Sequence, residues 1–366
     1  MRALLLGDVC ATRTTEKAFY NRDSAALFGE IASIFEKCDV KIVNLECALT
    51  ERDCPIKKIG PAIKSPLQTA DVLASIGVNY CNLSNNHSFD YGKKGIEDTK
   101  NALERVGIQW TGFGENEEDA RKNLIIEQNG ERIAIIAVSE HEYNYALPDR
   151  MGARAFDPYD TLEDIRAAKA EADRVIVLYH GGKEFSPMPS PRLHKLCHAM
   201  AKAGADVILT QHSHCIGCYE KFENCHILYG QGNFCFVRDP EIIPQESSFD
   251  SWNSCLAVFY DTQTHEMEFR PIVCKKDASG LRFPSEEEEK QILSDFFKRS
   301  ERLSDGKWIM DWKQFCIDIG SKYLKYAHCE HVTPREKEIF AHFLDCEAHT
   351  DVWHELCQTM HLSNEI

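Results

Sequence analysis

Five short polar clusters, each set directly after an apolar run, constrain the fold of this chain more than any other feature. They are Gly7-Asp8, Asn44-Leu45-Glu46, Asn85-Asn86-His87-Ser88-Phe89-Asp90-Tyr91-Gly92, His180-Gly181-Gly182-Lys183-Glu184 and His212-Ser213-His214. The runs that precede them (3–6, 40–45, 79–83, 174–179 and 206–209) are short and continuous, which reads as buried strands. Helical periodicity appears between them at 27–38 (Leu27, Ile31, Ile34, Phe35), 68–76, 95–106, 161–172 and 191–203. Gly77 and Gly107 close two of these helices. Asn129-Gly130, flanked by 123–128 and 132–138, predicts a tight hairpin. Residues 226–229 and 255–260 read as strands, and 266–273 pairs with the latter. Repeated βα and ββ units with polar groups at strand ends predict a layered α/β sandwich.

The strand pattern stops near 275–284. Residues 286–299 place Ile292, Leu293, Phe296 and Phe297 on one helical face. Thr333-Pro334-Arg335-Glu336 is a capping box with proline at the first helical position. Ile339, Phe340, Phe343 and Leu344 form the next apolar stripe. We expect a main domain over 1–280 and a helical appendage over 285–366, its aromatic faces buried against the main domain.

Composition narrows the partners. A net charge of -16 excludes nucleic acid, which requires a basic stripe. It leaves a small anionic or polyanionic substrate open, because bound metals invert the local field. The 16 cysteines are scattered through apolar segments without a disulfide framework, which predicts reduced thiols in a cytoplasmic protein. The chain runs straight into its first strand without a signal-peptide pattern. No apolar run approaches the roughly 20 residues of a membrane span.

The clusters carry the donors that hold a pair of borderline divalent ions such as manganese, zinc or iron. The donors are Asp8, Glu46, the Asn86 amide oxygen, His180, His212 and His214. His87 and Asp90 are left for proton transfer. A strand-like His-x-His would put both imidazoles on one face, two rises apart. Other groupings read as structural. His194 and His198 stand one helical turn apart with no third ligand evident. Cys215-x-x-Cys218 has no second such pair, and His328-Cys329-Glu330-His331 reads as a polar turn. The chain has neither a phosphate-cradling glycine loop nor a Gly-x-Ser-x-Gly elbow.

The ordered set Gly-Asp, Asn-Leu-Glu, Asn-Asn-His-x-x-Asp-Tyr-Gly, His-Gly-Gly-x-Glu, His-x-His and Tyr-Gly-x-Gly-Asn-Phe resembles the CapA family over about residues 3–275. These are poly-γ-glutamate and capsule biosynthesis proteins within the calcineurin-like metallophosphoesterase superfamily. The resemblance implies a four-layer αββα sandwich with a two-metal centre at the strand ends. It makes Glu46 the bridging carboxylate, Asp8, Asn86, His180, His212 and His214 the other ligands, and His87 the group that stabilises or protonates the leaving group, oriented by Asp90. Glu184, Asn233 and Asn85 are implied as substrate contacts or supports of the ligands. The chain departs from the superfamily's common Asp-x-His start. Cys10 stands there, as an extra ligand candidate or as a small core residue beside a ligand-poor first ion. The implied activity is metal-dependent hydrolysis of a phosphate ester or of a γ-glutamyl or related amide polymer. The alternative is a non-catalytic metal-binding accessory protein of a capsule or poly-γ-glutamate synthase.

Overall fold

Apolar residues that alternate between two opposite cores give the computed structural model two stacked sheets; it describes residues 1–238, 252–327 and 333–362. Parallel strands β1 (Arg2–Val9), β2 (Val40–Leu45), β3 (Tyr80–Asn82) and β4 (Gln109–Thr111) begin the first sheet. The second sheet is built from β5 (Leu124–Gln128), β6 (Glu131–Ser139), β7 (Arg174–His180), β8 (Val207–Gln211), β9 (Ile216–Phe222) and β10 (Cys225–Gln231). The chain then returns to the first sheet through β11 (Asn233–Cys235), β12 (Ser254–Asp261), β13 (Glu266–Cys274) and β14 (Leu281–Arg282). The first sheet runs β14-β13-β12-β1-β2-β3-β4 with β11 also against β1, and the second runs β9-β10-β8-β7-β6-β5.

β1 shows why the sheets stack. Ala3 and Leu5 join the cluster between the sheets, with Ile135, Leu178 and Leu209 from the second sheet. Leu4 and Leu6 point the other way, into a cluster with α1 (Thr69–Ser75) and α2 (Gly92–Arg105). On the outer face of the second sheet, Val175 and Val177 pack against α3 (Pro158–Glu171) and α4 (Pro191–Ala203). A strand buried on both faces has no polar side to alternate, hence the unbroken apolar runs. The result is the expected αββα sandwich. The predicted hairpin is present, with Asn129 and Gly130 at φ 55° and 79° and Gln128 opposite Glu131. The expected helix over 27–38 is instead a short helix, Ser24–Phe28, followed by a 3-10 segment, Gly29–Lys37. Gly29, at φ 47° and ψ -123°, breaks the α geometry between them.

The C-terminal helices are α5 (Glu286–Ser304), α6 (Trp308–Ala327), α7 (Pro334–Asp345) and α8 (Glu347–Leu362). α5 belongs to the sandwich: Ile292 and Phe296 are buried in the cluster between the sheets, a gain of roughly 1.5–3 kcal/mol each. α6 to α8 enclose a separate small core of Trp312, Cys316, Tyr323, Val352 and Leu356. The apolar stripe of α7 therefore turns to its sister helices and not to the main domain. Phe343 stacks on Tyr323 at 4.6 Å, and Leu344 is exposed. His328-Cys329-Glu330-His331 lies outside the described residues. Among the described residues every cysteine is a free thiol, and no helix is long and apolar enough to cross a membrane.

An ionic network helps to seat α6 to α8 on the sandwich, beside the apolar burial of Trp308. Arg192 bridges Glu140 at 2.5 Å and Asp351 at 2.9 Å. The Ala348 N–H donates to Glu140 Oε2, and His141 Nδ1 lies 2.6 Å from Glu347 Oε1. The hydrogen bond to Glu347 raises the His141 pKa above its usual 6.5. Against its burial, His141 lowers the Glu347 pKa below 4.5. The imidazole's contribution is thus complete below about 6.5 and is lost as pH rises through its raised value. The carboxylate's contribution is complete above about 4.5 and is lost as pH falls. The link is strongest between those limits. Thermal melts should show a larger stability loss from pH 5.5 to 8.5 in the wild type than in His141→Gln.

Candidate metal centre

The parallel strands of both sheets end at one edge, and the site is assembled there, as open α/β sheets dictate. Asp8 in β1 is in register with Asn44 of β2 and Asn233 of β11. Glu46 follows β2, and the Asn85–Asp90 loop follows β3. His180 ends β7 in register with Gln211 of β8, just before His212. One glycine makes this convergence possible: a Cβ on Gly7 would sit 1.9 Å from the Gly232 carbonyl oxygen.

The structure brings the six expected ligands together. Glu46 Oε1 lies 3.3 Å from His180 Nε2 and 4.0 Å from His212 Nδ1. His180 Nε2 lies 2.9 Å from Asn86 Oδ1 and 3.2 Å from His212 Nδ1. Asp8 Oδ2 lies 3.5 Å from His214 Nδ1. Two overlapping groups can each hold an ion, Asp8 with Glu46 and His180, and Glu46 with His212 and His214. Glu46 is common to both.

Whether these residues suit metal ions is decided by their orphaned oxygens. Both Glu46 carboxylate oxygens and Asp8 Oδ2 are buried without a hydrogen-bond partner. Burial, then the neighbouring Asp8 charge, push the Glu46 carboxyl well above its usual range. Burial also opposes ionisation of Asp8, but His214 and His180 hold its pKa low. Two adjacent buried carboxyls with three oxygens lacking donors are costly. Divalent ions bridged by Glu46 would satisfy all three oxygens, so the donor set fits.

His212 and His214 are not strand residues. They lie in the turn after β8 with left-handed backbones, φ 78° and 56°, so strand alternation does not place them. Such conformations cost of order 1–3 kcal/mol each and are held by their surroundings. Asn233 supplies part of that hold. Its Oδ1 lies 2.9 Å from His214 Nδ1, and its Nδ2 donates to the Trp252 carbonyl. Asn85 Nδ2 donates to the Leu45 carbonyl while its Oδ1 accepts from the His87 and Ser88 N–H groups, which shapes the ligand loop. Asn44, quoted above only as part of its cluster, donates to Asp8 Oδ1 at 2.6 Å.

His87 Nδ1 lies 2.7 Å from Asp90 Oδ2. A third member, Lys58, went unrecognised in the sequence. Its Nζ lies 2.5 Å from Asp90 Oδ1 and 3.1 Å from His87 Nδ1, and it donates to the Asn86 carbonyl. Burial and then Lys58 push the imidazole down to about 4, against the pull of Asp90. Asp90 therefore orients His87, but Lys58 cancels much of the charge that would raise its basicity. Glu142, just past β6, was missed as well. Its Oε2 accepts from Asn86 Nδ2 at 2.8 Å and lies 3.5 Å from His212 Nε2, while its Oε1 lies 3.5 Å from His342 Nε2 of α7. Burial and then Glu184 raise its carboxyl to about 7. The rule that found the other clusters, a polar residue after an apolar strand, applies to His141-Glu142.

Glu184 is paired with Lys183 at 3.2 Å and is in neither metal-capable group. Cys10 is in neither group; its Sγ lies 3.3 Å from the Ala11 carbonyl, and burial pushes its thiol pKa well up.

A family model described as bacterial capsule synthesis protein PGA_cap matches residues 2–238. The capsule biosynthesis protein CapA of Bacillus anthracis is 33% identical over 175 residues, 46% of this chain and 43% of that protein. The PGA biosynthesis protein CapA of Bacillus subtilis (strain 168) is 28% identical over 324 residues, 85% of this chain and 82% of that protein. A Mycobacterium tuberculosis protein described as a probable polyglutamine synthesis accessory protein is 28% identical over 240 residues, 61% of this chain and 62% of that protein.

Proposed function

The chain belongs to the family of the bacterial capsule synthesis protein PGA_cap, and we propose that it is a two-metal hydrolase of capsule or exopolymer metabolism. Its substrate class is a phosphate ester or a γ-glutamyl or related amide polymer. The observation that carries this reading is Glu46, fully buried beside the ligand histidines with both oxygens lacking a hydrogen-bond donor. Asp8, Glu46 and His180 would hold one ion, and Glu46, His212 and His214 the other, with Asn86 Oδ1 beside His180. Manganese, zinc and iron suit this mixture of imidazole and oxygen donors. Such ions supply Lewis acidity and a nucleophile at neutral pH.

The chain's own groups do the rest. Glu142 holds the Asn86 amide by its nitrogen, so that the amide oxygen faces His180. Asp90 and Lys58 occupy the Nδ1 side of His87, which leaves Nε2 to exchange a proton with substrate. With its pKa near 4 the imidazole is neutral at pH 7. An arriving anion raises that pKa by Coulomb attraction and turns His87 into a donor for the leaving group.

Hydrolysis of p-nitrophenyl phosphate or of γ-glutamyl oligomers with added manganese, abolished by a chelator, is the expected result. Turnover of neither substrate, with Asn86→Ala and His87→Ala leaving the cellular phenotype intact, would defeat the reading. His87→Ala should lower kcat by about 10²- to 10⁴-fold while elemental analysis finds the metal content unchanged.

A second reading, an accessory protein of a synthase, draws on the description of the Mycobacterium relative and on the separate core of α6 to α8. Met310→Glu and Leu344→Glu, at exposed positions of α6 and α7, test it. Cutting the helices away at 285 or 305 would remove Ile292, Phe296 or Trp308 from the sandwich's cores and confuse docking with unfolding. Loss of a synthase partner in pull-down, with hydrolysis unchanged, favours the accessory role.

A further inference from the structure

The helix pair His194 and His198, which had no visible third ligand in the sequence, acquires one in the fold. Glu220 of β9 faces both rings. His194 Nε2 and His198 Nε2 lie 3.3 and 2.8 Å from Glu220 Oε1. One ligand atom from each of the three residues falls within 4.8 Å of the other two. Around a tetrahedral zinc ion, bonds of about 2.0–2.1 Å place neighbouring ligand atoms roughly 3.3 Å apart, close to these separations. The i, i+4 spacing puts both imidazoles on one face of α4.

Hydrogen bonding alone accommodates this cluster poorly. Tyr229 Oη also donates to Glu220 Oε1, at 2.8 Å, so three donors crowd one oxygen with two lone pairs. An ion among two nitrogens and a carboxylate relieves the crowding and uses the imidazole lone pairs as well. The ligands are already oriented. His198 stacks on Phe222 at 3.7 Å, and His194 packs on Trp308 at 4.8 Å. Burial would raise the Glu220 carboxyl, but hydrogen bonds from His194, Tyr229 and His198 outweigh it and bring it down to about 2. The three side chains are about one-fifth exposed, which gives an ion a way in and water a fourth position.

From this geometry we propose that His194, His198 and Glu220 form a further divalent-metal site of the zinc class, separate from the centre at the strand ends. Two imidazoles and one carboxylate select zinc-like ions over calcium or magnesium. Glu220 is in register with Ile227, and Ile227 with Ile208. That level is four residues before His212, roughly 13 Å back along the strands. The ion would join α4 to the β9–β10 hairpin, beside Trp308, the first residue of α6, which packs on His194.

The test uses the full-length protein, stripped with chelator and titrated with Zn²⁺. The wild type should bind one equivalent per chain more than Glu220→Gln and than His198→Ala, and Zn²⁺ should raise its melting temperature further. Co²⁺ should give the visible absorption of a four-coordinate ion in the wild type, reduced in both variants. Equal stoichiometry in wild type and variants would overturn the proposal. If His198→Ala folds poorly, the near-isosteric Glu220→Gln, which keeps an oxygen for Tyr229, gives the same reading. Failure of the centre at the strand ends would lower all totals together and leave the difference between proteins intact.

Discussion

Glu46→Gln should empty the strand-end centre of metal and at the same time stabilise the metal-free chain. Both effects come from one carboxylate. Glu46 is fully buried, lies against Asp8 and has no donor on either oxygen. Without an ion it must stay protonated or remain a buried charge, and a neutral amide avoids both costs. The expected gain is roughly 1–3 kcal/mol, the usual scale for a buried polar mismatch. With metal the order reverses. An ion at a hundredfold excess over its Kd adds about 2.7 kcal/mol to the wild type and far less to the variant. Turnover should fall by about 10³-fold or more, since several kcal/mol of charge stabilisation depend on the bridge. Melts with and without chelator, paired with elemental analysis, decide it. A variant that retains two equivalents of metal, or that is less stable when stripped, contradicts the bridging role.

Gly7→Ala should be among the most damaging small substitutions in the chain. The added methyl would meet the Gly232 carbonyl oxygen at 1.9 Å and its carbon at 3.1 Å. Both atoms are backbone, so no rotamer relieves the clash. β1 and β11 must part, and the register of Asp8 with Asn233 goes with them. The expected cost is about 4–5 kcal/mol or more, the range reserved for disrupted cores, with loss of metal affinity in whatever folds. Gly107→Ala is the control. Gly107 has φ 76°, and a methyl added there would meet nothing within 4 Å, so only backbone strain applies, about 1–2 kcal/mol. Urea midpoints that coincide for the two variants would refute the close approach of β1 to β11.

The layers and the position of the site were legible because strand termini leave a plain trace: an apolar run, then a polar cluster. Asp8, Glu46, Asn86, His180, His212 and His214 all carry that trace. His212 and His214 carry it for a different reason than alternation suggests, since a left-handed turn, invisible in a two-histidine spacing, orients their rings. Lys58 leaves no trace. It lies far along the chain from Asp90 and in no periodic segment, and only folding brings the two together. Glu220 is hidden likewise, on a strand whose pairing with β10 must be known before its neighbours on α4 can be guessed. The failed helix over 27–38 turned on Gly29, where apolar spacing was right and backbone geometry was not. The α7 stripe was read correctly as apolar but assigned the wrong neighbour, because periodicity reports that a face is covered and not by what.

Glu142 grips the Asn86 amide with one oxygen and lies beside His342 of α7 with the other, while Tyr143 stacks on the same imidazole at 4.7 Å. The outermost helical layer thus reaches, through one carboxylate, the amide of a proposed metal donor. A protein that displaced those helices would loosen the hold on that carboxamide without touching the proposed ions.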